Sequence, residues 1–116
     1  MAEKAVSAER VGRWLRFEWL AVTENDTFQE VYLNDNVTDI LMEVEGTFGS
    51  ATVTLKQWVV TEAASFAAVD PGGSAISITT SSKSTPVRDA FPHMRPIHSG
   101  GTGETMDVRI HVKTRI

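Results

Sequence analysis

His93, His98 and His111 titrate nearest neutrality, so proton transfer or metal binding would be sought on them first. None stands at a spacing that would hold a metal on one face, and His111 lies on the polar side of an alternating run. Glu43 and Glu45 share a face if their segment is a strand, as an acid and base pair would require. Neighbouring carboxylates on a solvated strand are far commoner than a catalytic dyad, and nothing close by drives the two apart. Ser99-Gly100-Gly101-Thr102-Gly103 has the glycine content of a phosphate cradle. It lacks a following Lys-Ser or Lys-Thr and leads into a strand, so the anion-binding geometry is missing. No Gly-x-Ser-x-Gly elbow occurs. Asn25-Asp26-Thr27 and Asn36-Val37-Thr38 match the glycosylation pattern, but without a secretory signal they read as turns. The expectation is a protein with no catalytic residue, no cofactor and no metal.

The aromatic residues carry a different chemistry. Trp14, Trp19 and Trp58 either fill the core or, where exposed, anchor a partner, because large rigid aromatics dominate interface energies. Arg16 is interleaved with two of them, and Phe91, Met94 and Arg95 fall in a proline-marked stretch suited to a sheet edge. These seven residues are the candidate protein interface. A stacking platform for single-stranded nucleic acid is disfavoured. Eleven Lys and Arg stand against fifteen Asp and Glu, a net charge of −4, with the basic residues scattered. No apolar run approaches membrane-spanning length, and Met1 to Arg10 holds no apolar core of signal-peptide length. Cysteine is absent, so neither a disulfide nor a thiolate metal site can form.

The elements that would position these residues read as strands. Leu15, Phe17, Trp19 and Ala21 fall on one side of a period-two reading, although Trp14 and Leu20 sit on the other. Phe28 to Leu33 reads as a second short strand, closed by Asn34-Asp35-Asn36. Ile40, Met42 and Val44 alternate with Asp39, Leu41, Glu43 and Glu45, and after Gly46 to Ser50 the alternation resumes with Ala51, Val53 and Leu55. A short glycine-bearing break between two such runs predicts a β-hairpin. Beyond Lys56 the parity slips towards Trp58 and Val60, which predicts a bulge or strand end near Gln57. A strand is expected at about Ser65 to Val69, a turn at Asp70-Pro71-Gly72-Gly73 and a strand at Ala75 to Thr80. Ser81 to Thr85 reads as polar linker, and Val87 to Ile97, with Pro92 and Pro96, as an edge or surface-crossing loop. Met106, Val108, Ile110 and Val112 alternate against polar residues as a closing strand. Seven or eight short strands with little helix point to an all-β, single-domain antiparallel β-sandwich or jelly roll over 11–116, with a flexible N-terminal arm over 1–10.

The run Val44-Glu45-Gly46-Thr47-Phe48-Gly49-Ser50-Ala51-Thr52-Val53-Thr54-Leu55 resembles the segment VEGTFGGATVTL of small structural proteins encoded by tailed bacteriophages. The resemblance extends more loosely through Asp70 to Ile76, Arg95-Pro96, Ser99 to Gly103 and the closing strand. It implies a non-enzymatic virion component, assembled in the host cytoplasm and carried on the capsid surface. The leading expectation is a head decoration or cement protein, a homo-dimer or trimer that clamps adjacent major capsid protein subunits. The alternatives are a neck or tail component and a carbohydrate- or host-surface-binding β-module lined by the tryptophans. Neither nucleic acid nor membrane is an expected partner.

Overall fold

The computed structural model describes residues 2–33, 37–80 and 83–114. The strands are β1 (Ala2–Lys4), β2 (Ser7–Val11), β3 (Trp14–Val22), β4 (Asp26–Phe28), β5 (Val31–Tyr32) and β6 (Val37–Thr47). They continue with β7 (Thr52–Trp58), β8 (Phe66–Ala67), β9 (Lys83–Val87), β10 (His93–Ser99) and β11 (Thr105–Thr114). One short 3-10 turn, Glu62–Ala64, precedes β8. A five-stranded antiparallel sheet runs in the order β2-β3-β11-β6-β9, and a four-stranded antiparallel sheet in the order β5-β10-β7-β8. β1 and β4 form a small parallel pair.

The two sheets pack face to face because alternation leaves each with one apolar side. Phe17, Trp19, Ile40, Met42, Val44, Val108, Ile110 and Val112 face inward from the larger sheet. Val31, Val53, Leu55 and Met94 meet them from the smaller, and Ile76 and Ile78 close the side. Each large side chain buried here contributes roughly 1.5–3 kcal/mol by leaving water. The all-β, single-domain sandwich expected from the sequence is the observed architecture.

The expected hairpin is corrected. β6 pairs with β11 and β9, whereas β7 pairs with β10 and β8 in the other sheet. The segment between them is therefore an arch that crosses the sandwich, with Phe48 buried inside it. Gly46 makes this possible: its φ is +124°, and a Cβ there would lie 2.4 Å from the Thr105 carbonyl oxygen. The connection from β10 to β11 crosses the same way, and Thr102 N–H donates to the Gly49 carbonyl at 3.0 Å. Paired strands thus change sheets together.

Other differences follow from pairing that alternation does not encode. Residues 2–4 and 7–10, expected as part of an arm, lie in hydrogen-bonded strands, with β2 and β3 joined through the turn Gly12-Arg13. Gly12 takes φ +62°, as the first position of a II′ turn demands. Of the two expectations near Gln57, the strand end is the one observed: β7 and β10 stay in register from Thr52 to Trp58, where β7 stops, and no bulge occurs. Register shifts lie elsewhere: the pairing of β11 to β6 shifts between Lys113 and Thr114, and in β3 Ala21 has φ +54° and the pairing to β11 shifts between Met106 and Val108. That extra residue turns Ala21 outward and Val22 into the core. Part of the expected linker is the edge strand β9, and β10 lies inside its sheet, not at an edge. Ala75 to Thr80 makes only isolated bridges, at Ala75 and Ile78. The expected turn at Asn34 to Asn36 lies outside the described residues.

Candidate functional site

The seven candidate interface residues separate by burial. Trp19 is fully buried, its indole N–H donating to the Gln29 carbonyl at 3.1 Å and its ring edge-on to Phe28. Met94 is buried between the sheets. Trp58 is also covered, stacked on His93 with centroids 5.5 Å apart and an angle of 4°. These three are corrected from interface to interior in the isolated chain. Trp19 and Met94 lie on the inward face of their strands, while Trp58 is held beneath a row that continues through His93 to Tyr32.

Trp14, Arg16, Phe91 and Arg95 reach the surface. Trp14 is 39% exposed at the start of β3, with the Lys113 ammonium 5.9 Å above its ring. Arg16 lies beside it on the outer face of the larger sheet, bound to Glu9 at 2.9 Å and Glu18 at 3.4 Å. Arg95 pairs with Glu62 at 3.2 Å, as Lys56 does at 2.7 Å. The Lys56 hydrogen bond first, and the Arg95 charge beside it, hold the Glu62 carboxyl below its ordinary value. Phe91 packs edge-on against Phe66, 4.7 Å between centroids. The structure therefore joins Trp14 to Arg16 but sets both on a different sheet from Arg95.

On the same outer face as Arg16, Arg109 is the hub of an ionic lattice. It donates to Glu45 at 2.6 Å and Glu18 at 2.8 Å, and lies 3.6 Å from Glu43. The hydrogen bonds to Glu45 and then Glu18 raise its proton affinity further. Glu43 and Glu45 thus serve as counter-charges.

A cleft of about 330 Å³ opens where β5 ends and leaves β10 beside β4. Its wall includes Glu24, Asp26, Phe28, Ile97, His98 and Glu104. His98 Nε2 lies 2.6 Å from the Asp26 carbonyl oxygen, which can only accept, so this nitrogen carries a proton. Its Nδ1 lies 3.0 Å from Oε2 of Glu104, whose carboxyl is fully buried. Neither Glu104 oxygen makes a hydrogen bond of good geometry, and the His98 ring is the polar group that faces its buried carboxyl. With one ring nitrogen against the Asp26 carbonyl and the other against Glu104, His98 ties the β10–β11 crossing to β4. Nearby, Thr23 backbone N–H first, and its hydroxyl as well, hold the Asp26 carboxyl below its ordinary value. Glu24 is lowered likewise by its own backbone N–H and that of Gly103. Among the described residues no three His, Asp or Glu side chains converge as metal ligands.

Two features escaped the sequence reading. Val59 and Val60 are 54% and 86% exposed, with Phe66 near the same end of the smaller sheet. Their signal was available: three large apolar residues in a row, Trp58 to Val60, cannot all face inward from a strand. Glu104, in turn, shares its parity with Met106, Val108, Ile110 and Val112, which marks a carboxylate on the buried side. Comparison of the chain with family models, curated proteins and solved structures returned no match.

Proposed function

We propose that this chain is a non-enzymatic structural protein that binds other protein surfaces, acting as a decoration or cement protein on a tailed-phage head. The observation that carries this reading is β2, an edge strand whose five residues are all exposed and whose outer side no described strand covers. Such an edge on a rigid sandwich offers main-chain donors and acceptors to a neighbour. The resemblance of residues 44–55 to small phage structural proteins supplies the setting, and exposed Trp14, Val59 and Val60 supply apolar contact area. Burial of Trp19 and Trp58 removes two of the three tryptophans from a sugar-stacking site.

The test is addition of purified protein to empty heads that lack it. Binding at a stoichiometry matching the capsid lattice, with a rise in head melting temperature, is expected. Failure to bind, or label confined to the portal vertex, would count against decoration.

A further inference from the structure

Among the described residues the two packed sheets have four outer strands, and three of them are poor pairing partners. β5 and β8 contain two residues each, and β9 carries Pro86. β2 is five residues long, has no proline and no bulge, and pairs with β3 without a shift from Ser7 to Val11. The two-residue turn after Val11 fixes which backbone groups point outward. Val11 and Trp14 close the turn as a hydrogen-bonded pair, so Glu9 and Ser7 also bond to β3, and Ala8 directs its N–H and C=O to the open side.

We infer that β2 accepts an extended strand from a different protein, paired through Ala8, with a lysine or arginine of that strand opposite Glu9. This rests on the reading of the chain as a protein-binding module and names the surface and the partner's chemistry. A second copy is the poorer occupant. Two-fold pairing with full overlap of Ser7–Val11 centres on Glu9 and sets two Glu9 carboxylates opposite each other, beside Glu18. A basic residue there meets Glu9, which is 60% exposed and pairs with Arg16 through Oε1 at 2.9 Å. Ala8 and Glu9 face opposite sides of the sheet, so the main-chain and charge contributions are separable.

The test uses the full chain with two probes, empty heads and the blocked pentapeptide Thr-Val-Lys-Val-Thr, and two variants. Ala8→Pro removes the Ala8 donor from the open side while sparing the bonds to β3, and Glu9→Lys reverses the charge. Melting curves first establish that both variants fold. Wild type should bind heads, and the peptide at millimolar concentration should shift the Ala8 amide resonance. Ala8→Pro should lower both affinities at least tenfold, and Glu9→Lys should favour a peptide with glutamate in place of lysine. Heads bound equally by wild type and Ala8→Pro would overturn the strand-addition inference and leave the decoration reading standing. No head binding, with a peptide shift abolished in Ala8→Pro, would do the reverse. Silence with both probes overturns both, and concentration-dependent dimers lost in Ala8→Pro would replace the foreign strand with a second copy.

Discussion

At one side of the five-stranded sheet lies β9 and at the other β2, and the two are finished differently. β9 holds Pro86, buries Val87, and passes directly into Arg88, whose N–H donates to the Val69 carbonyl at 2.9 Å. Pro71 from the neighbouring turn lies along the same groove as Pro86. β2 has neither proline nor burial, and its side chains project into solvent on both faces. The contrast separates two ways in which a strand persists: β9 by packing and β2 by hydrogen bonds to β3. It also teaches that one edge is closed to neighbours while the other is left available.

The largest effect should come from the core that both edges share. Ile110→Ala, at the centre of β11, is expected to cost about 2–5 kcal/mol in urea unfolding. Hydrogen exchange should accelerate in β2 and β9 together, and a loss of protection confined to one edge would break the comparison. Next comes the crossing tied by His98. Glu104→Ala should cost about 1–3 kcal/mol, whereas Glu104→Gln, which can donate to Nδ1, should keep more than half of that. Exchange should rise over 99–104 and stay unchanged in β2. A smaller change is expected at the closed edge, where Pro86→Ala should alter stability by about 0.5 kcal/mol or less. It restores a backbone donor to an edge strand, so sedimentation should show more self-association than in the parent.

The smallest effect is that of acid. Asp26 and Glu24 sit below their ordinary values of 3.8 and 4.5 because backbone N–H groups stabilise the charged forms. Their contribution is present above those ordinary values and is lost as pH falls through the lowered ones. Amide spectra recorded from pH 6 downward should therefore hold steady around Thr23 to Asp26 until pH is below those ordinary values, and change there only as it falls through the lowered ones.

Much of the fold was legible as parity. Ile40, Met42 and Val44, then Val53 and Leu55, then Met106 to Val112 face inward as their alternation dictates. Partner choice was not legible, because a glycine-bearing break between alternating runs serves a hairpin and an arch equally well. The arch wins here through contacts distant in sequence, β6 with β11 and β7 with β10. β2 was read as an arm for a related reason. Ser7 to Val11 buries nothing, and a strand held by pairing alone leaves no hydrophobic period. The exposure of the candidate residues was half legible: Trp14 and Arg16 reach the surface, while Trp19 and Met94 obey the inward parity of their strands. Gln57 and Glu104, polar residues on an apolar parity, were the overlooked marks of internal structure. Gln57 donates to the Asp89 carbonyl at 2.9 Å from that buried face.

The central claim is that a rigid sandwich grips a neighbouring protein through its open edge. Hydrogen exchange on the full chain, free and bound to empty heads, measures this most directly. The account predicts new protection concentrated in residues 7–11, with β9 unchanged. Protection centred on the 95–104 cleft, or on β9 with β2 still exchanging freely, would contradict it.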